Sequence, residues 1–152
     1  MTAPRGVLQA ATAAIAAMLT GAMILIRLVL VPFWRGVPPR EFRAWFGAHS
    51  GRLRRVMLPL GAGAVGTAVA TTAVETRRGG ATASAAMAAA ASAGVVAVTL
   101  SVNEPANAKF EQPDLGDDET TELLGTWARW HEVRVVLGLV ATAAALRTVD
   151  RR

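Results

Sequence analysis

An all-α four-helix transmembrane bundle is the fold this sequence predicts, and three observations predict it. Apolar residues make up 53% of the 152-residue chain and gather in long alanine- and valine-rich runs, a membrane signal rather than a soluble-core signal. Arginines stand in short groups at the ends of those runs, where anionic headgroups would meet them. Glycine and alanine recur at helical spacing inside the runs, which lets membrane helices approach closely. One domain over residues 1–152 suits the length. The net charge of +5 forms no nucleic-acid stripe, so the bilayer is the expected partner and nucleic acid is not. With no cysteine, disulfides, thiolate metal sites and cysteine nucleophiles drop out.

The first span is expected over about residues 7–31. Arg5 precedes it and only Arg27 interrupts it. The run is too long for a signal-peptide core, so it reads as a retained helix. Thr20, Met23 and Arg27 share one side. Arg27 either snorkels to the interface or faces the bundle and pairs with Glu104 or Glu132. Pro32 closes or kinks this helix, Phe33 and Trp34 suit the interface, and Val37-Pro38-Pro39 makes a stiff turn. Over about residues 39–52, Phe42, Trp45, Phe46 and His49 fall at helical spacing opposite Arg40, Arg43 and Arg52. That predicts a short amphipathic interfacial helix, lying on the membrane or capping the bundle.

The second span is expected over 56–74, with Pro59 in its first turn and Gly61, Gly63 and Gly66 as contact surfaces. Glu75-Thr76-Arg77-Arg78-Gly79-Gly80 is a polar turn. The third span, 81–102, is mostly alanine and is expected in the middle of the bundle. Asn103, Glu104, Pro105 and Asn107 follow, then an acidic, solvated loop. Asn107 reads first as turn chemistry, whereas Asn103 looks into the bundle mouth. The fourth span is expected over 121–148. Its uncharged part, Val135–Leu146, covers about 12 residues, short of the roughly 20 a span needs. Arg134 and Arg147 would snorkel from its ends, and Arg151 and Arg152 would sit at headgroups.

At about 100° per residue, Trp127, His131, Arg134, Val135 and Gly138 share a side that continues through Thr142 and Ala145. Small residues there turn this side toward another helix, and His131 with it. Four spans bring Arg27, the amphipathic segment, Asn103, Glu104 and Trp127–Arg134 to one end. The basic residues divide almost evenly between the two sides, so they fix no orientation.

Four stretches carry a family resemblance: Val31-Pro32-Phe33-Trp34, Pro38-Pro39-Arg40-Glu41-Phe42, Val102-Asn103-Glu104-Pro105-Ala106-Asn107, and Trp127-Ala128-Arg129-Trp130-His131-Glu132-Val133-Arg134. Together they resemble the anthrone oxygenase-like family of small four-helix membrane proteins. The resemblance implies oxygenation by O2 of a flat, acidic aromatic molecule, with no metal or flavin cofactor. Such chemistry needs a base, donors for a developing oxyanion and an apolar pocket. The resemblance makes His131 the candidate base, Asn103, Arg134 or the Trp130 indole the candidate donors, and Trp127 the stacking surface. Asn107 and Arg27 join Trp127 and Trp130 as candidate substrate contacts.

Two other classes stay open. In a non-catalytic membrane protein, a small-molecule binder or a subunit for a second copy or partner chain, His131 and Arg134 would satisfy carboxylates or carbonyls inside the bundle. A metal site would need His49, His131 and a carboxylate, without the helical Glu-x-x-His pattern such bundles use. A transporter lacks paired broken helices or an internal repeat. The expected location is the cell membrane, as a multi-pass protein.

Overall fold

The computed structural model describes residues 3–149. The Arg151–Arg152 end and the first two residues lie outside the described part. Helix α1 (Ala3–Leu25) leads through a π-helical turn (Ile26–Leu30) into α2 (Val31–Gly36). Helix α3 (Pro39–Arg78) is followed by α4 (Thr82–Val98), a second π-helical turn (Thr99–Asn103), α5 (Glu104–Phe110) and α6 (Asp117–Val149). Among the described residues there is no strand. The four long helices form a square bundle in which α1 packs on α3 and α6, and α4 packs on α3 and α6. Alanine-rich α4 is thus one corner of the square, not its centre. Alanine makes it slim enough to sit close to both neighbours.

Among the described residues three stretches are long and apolar enough to cross a membrane: Arg5–Gly36, Pro39–Arg78 and Thr82–Phe110. The protein is an integral, multi-pass membrane protein. Helix α6 carries the shorter apolar stretch and packs along α1 and α4.

Of the two outcomes expected of Pro32, closing the helix is not the one seen. Pro32 and Pro105 neither close nor break their helices. Each stands two positions after the end of a π-helical turn. Proline lacks an N–H and crowds the carbonyl four residues back; a wider turn ahead of it absorbs both defects. The first helical rod therefore runs on to Gly36, and the third to Phe110. A real break comes at Val37, extended at φ −110° and ψ 156°, as expected before a proline.

The amphipathic stretch is helical and continuous with the second span. Phe42 and Phe46 are buried with Trp34, Trp127, Phe110 and Leu115, so this part of α3 caps the bundle, with Pro59 in the helix interior instead of in a first turn. The acidic loop keeps its carboxylates in solvent, as expected, and is anchored to the cap through Leu115 and Thr120. Arg43 donates to the Leu115 carbonyl and, at 2.9 Å, to Thr120 Oγ1, and pairs with Asp117 at 3.4 Å.

The core changes character along the bundle. At the cap it is aromatic. In the middle it is Leu19, Met23, Ala64 and Val95. At the far end it is Ala13, Ala68, Ala88, Ala144 and Ala145. That far end is fastened by Glu75, which is fully buried. Its carboxylate accepts from Arg5 Nε and a terminal guanidinium nitrogen, both at 2.7 Å, from Gln9 Nε2 at 3.0 Å and from the Ala81 N–H at 2.8 Å. A Cβ at Gly80 would lie 2.1 Å from Glu75 Oε2, so this clamp needs glycine there.

Helices α1 and α6 touch at Gly138. A Cβ there would come 2.7 Å from both Met23 Cε and Thr20 Oγ1. Met23 can give way, but Thr20 is held by bonds to the Ala16 carbonyl at 2.8 Å and Thr142 Oγ1 at 3.1 Å. Gly66 has nothing within 4 Å of such a Cβ. Gly138→Ala is therefore expected to destabilise the bundle by about 1–3 kcal/mol. Gly66→Ala should be neutral or stabilising by up to about 1 kcal/mol. Denaturant titration of both variants in one detergent reads the contrast; equal effects would show that helix propensity, not close approach, governs Gly138.

Candidate functional site

The cap end holds four buried polar atoms with no hydrogen-bond partner: Trp34 Nε1, Asn103 Oδ1, His131 Nδ1 and Arg134 Nε. Unsatisfied polar atoms are costly away from water, so four at one end of one bundle need a reason. They surround Trp127. Its ring meets Trp34 edge-on at 5.5 Å and stacks on His131 at 4.9 Å with 12° between planes. The Asn103 amide donates to the Trp127 carbonyl at 3.3 Å.

Helix α6 supplies three of the expected residues because their one-turn spacing keeps them on a single face. Trp127, His131 and Arg134 are all buried, His131 at 0% exposure and Arg134 at 6%. His131 Nε2 lies 2.9 Å from the Met23 carbonyl. A carbonyl only accepts, so Nε2 carries a proton, and Nδ1 is the ring nitrogen left without a partner. The Arg134 side chain joins none of the ion pairs among the described residues.

A cavity opens beside Trp127, walled by Trp34, Phe46 and Met57, with Glu104, Asn107, Arg134, Arg54, Ser50 and Thr99 as its polar groups. Its free volume is about 70 Å³. A cleft between α3 and α4 adjoins it, lined by Gly61, Ala62, Gly66, Val95 and Leu100, with about 460 Å³. The two share Met57, Leu58, Thr99 and Arg134. Drug-sized ligand sites run from about 300 to 1,000 Å³. The mouth alone falls below that range and the joined space falls within it.

The rim is a hydrogen-bonded chain. Trp127 Nε1 donates to Asn107 Oδ1 at 2.9 Å, the Asn107 amide donates to Glu104 Oε1 at 2.9 Å, and Arg54 pairs with Glu104 Oε2. The turn-chemistry reading of Asn107 therefore gives way to a role in holding the cavity wall. Asn103, expected to look into the mouth, is buried behind Trp127.

Two expected contacts lie elsewhere. Arg27 pairs with Glu132 at 2.6 Å on the outer side of α1 and α6, both side chains partly exposed. Trp130 is 42% exposed; at 100° per residue from Trp127 and His131 its indole is turned out of the bundle. Neither lines the cavity. His49 stacks on Trp45 at 4.5 Å and meets the Trp45 carbonyl at 2.7 Å, far in register from His131. Among the described residues no three histidine, aspartate or glutamate side chains converge on a metal-sized position. Sequence reasoning missed Trp34, Phe46, Arg54 and Met57 as walls. Trp34 was named as an interfacial aromatic, and only its place two residues after Pro32 hinted that it would be carried inward.

An anthrone oxygenase family profile matches residues 42–144. The chain belongs to the anthrone oxygenase family. The matched segment contains Asn103, Asn107, Trp127, His131 and Arg134, while Arg27 and Trp34 precede it. No curated protein and no solved structure matches the chain.

The Trp127–Asn107 bond is open to direct measurement. A double-mutant cycle of Trp127→Phe and Asn107→Ala is expected to give a coupling energy of about 1 kcal/mol. Additive losses would mean that the two side chains are held independently.

Proposed function

We propose that this family member is an oxygenase that needs no cofactor and acts on a flat, acidic aromatic substrate with O2 at the cap-end cavity. The observation that carries the reading is Arg134: a cation buried in a membrane bundle, unpaired, in the wall of a largely apolar cavity. A cation in that setting is costly unless an anion meets it, and the missing anion is a reaction intermediate's oxygen.

An anthrone-type ring methylene is acidic because its carbanion is delocalised onto the ketone oxygen. Arg134 donates to that oxygen as it becomes negative, which lowers the barrier to deprotonation. His131 takes the methylene proton at Nδ1. The electron-rich ring anion then reduces O2. A carbon–oxygen bond forms to give a peroxide; loss of water breaks the oxygen–oxygen bond and leaves a carbonyl. One oxygen atom ends in product and one in water, and the substrate supplies all the electrons. Trp127 and Trp34 give the flat substrate its walls.

His131 is stacked behind Trp127, so its use as base requires the Trp127 ring to shift. That same burial favours a second reading, a non-catalytic binder of an acidic aromatic molecule, in which His131 only ties α6 to α1 through the Met23 carbonyl.

Oxygen uptake by the detergent-purified full chain, given a tricyclic anthrone and corrected for spontaneous oxidation, separates the two. The oxygenase reading expects uptake above background, reduced about 10²–10³-fold in Arg134→Gln and in His131→Ala, with both variants retaining wild-type helical content. No uptake by folded protein would move the assignment to the binder. Full uptake by His131→Ala would remove His131 as the base.

A further inference from the structure

The cavity at Trp127 and the α3–α4 cleft meet at Arg134, and the cleft opens sideways. Leu58, Ala62, Gly66 and Leu100 line it and are exposed along the outer surface of the two helices, which in a bilayer faces lipid tails. Its walls are apolar except for Thr99 and Arg134. Gly61 and Gly66 keep the α3 side low: a Cβ at Gly61 would meet Val96 Cγ2 at 3.7 Å, and one at Gly66 would project into open space. The polar rim at the other side is occupied, since Arg54 and Asn107 both engage Glu104.

We infer that the ligand enters laterally from the bilayer between α3 and α4, and that it is a single-headed anionic amphiphile. One acidic oxygen group rests on the unpaired Arg134 guanidinium, and an apolar body extends along Gly61, Ala62 and Gly66. This goes beyond the oxygenase reading: the amphiphile is a lateral ligand of the same cavity and not the aromatic substrate, and it shares with that reading only the use of Arg134 as the anion receptor. The sizes support it: the mouth holds about 70 Å³ and the cleft about 460 Å³, so a ligand of ordinary size cannot sit on the polar side alone. Charge supports it too. A neutral lipophile would leave Arg134 as unpaired as before, and a small water-soluble anion would leave the apolar cleft unfilled.

Binding of tritiated stearate to the full chain in neutral detergent, under nitrogen, tests this without any turnover. Saturable binding is expected. Octadecanol, with the same tail and no charge, should need at least about tenfold more to compete, and acetate should not compete. Arg134→Gln should weaken stearate at least about tenfold, with Arg134→Lys intermediate. Gly66→Phe and Ala62→Phe, two separate ways to fill the cleft, should each weaken it by a similar factor while leaving helical content unchanged.

Competition by octadecanol equal to stearate would overturn the anionic head. Unchanged binding in both cleft-filling variants would overturn the lateral site. Equal competition by two-chain phosphatidylglycerol would identify the site as one for a bilayer lipid, which also overturns the proposal, as would the absence of saturable stearate binding. Because no oxygen is present, failure here and failure of anthrone oxidation are read independently.

Discussion

The cap-end cavity depends on two prolines that do not end their helices. A proline inside a helix costs about 3 kcal/mol or more when the turn ahead of it stays α-helical. Here each is preceded by a π-helical turn, Ile26–Leu30 before Pro32 and Thr99–Asn103 before Pro105. The extra residue per turn changes which face the following residues present. Helix α2 then delivers Trp34 to the inside, and α5 delivers Asn107 to the Trp127 indole. Had either helix stopped at its proline, Trp127 would lack one wall or its hydrogen-bond partner. π-Turns recur at functional sites because they trade regularity for side-chain placement, and both of these border the region that holds the unsatisfied polar atoms found among the described residues.

The two ends of the bundle treat buried charge in opposite ways. At the alanine-rich end, Glu75 accepts four hydrogen bonds and is paired with Arg5. That charge is fully compensated, and it fastens α1, α3 and the turn into α4. At the aromatic end Arg134 shares its cavity with Glu104 and forms no ion pair among the described residues. Large rings hold the helices apart there, whereas alanines draw them together at the other end. Core composition therefore decides which end has space, and the pairing of charge decides which end has chemistry to offer a ligand.

The long apolar runs made the first three rods legible, since length and apolarity are local properties. The inward face of α6 was legible for the same reason: a period of 3.6 residues fixes which of Trp127, Trp130, His131 and Arg134 travel together. The courses of the first and third rods past Pro32 and Pro105 were not legible, because nothing local announces a π-turn. The Arg5–Glu75 clamp joins residues 70 positions apart and depends on helix register that only the assembled bundle sets. Arg27 shows a mixed case. Glu132 was one of two expected partners, but whether the pair faced the cavity or the outside hinged on the same π-turn, which begins one residue before Arg27.

The carboxylates nearest to hand sharpen the meaning of Arg134. Glu104 and Glu132 are the acidic residues that the sequence brings to this end within reach of the bundle interior, and either would be the natural neutraliser of a buried guanidinium. Each is committed elsewhere, Glu104 to Arg54 and Asn107, Glu132 to Arg27. Those partners are partly exposed arginines, whose pairing on the surface stabilises little by itself. Their effect is instead to hold both carboxylates out of direct ion pairing with Arg134, with Glu104 facing it across the same cavity. A bundle selected only for stability would do the reverse, because leaving one buried cation unpaired costs more than losing two exposed pairs. The arrangement makes physical sense when the neutralising charge arrives with a ligand and leaves with it.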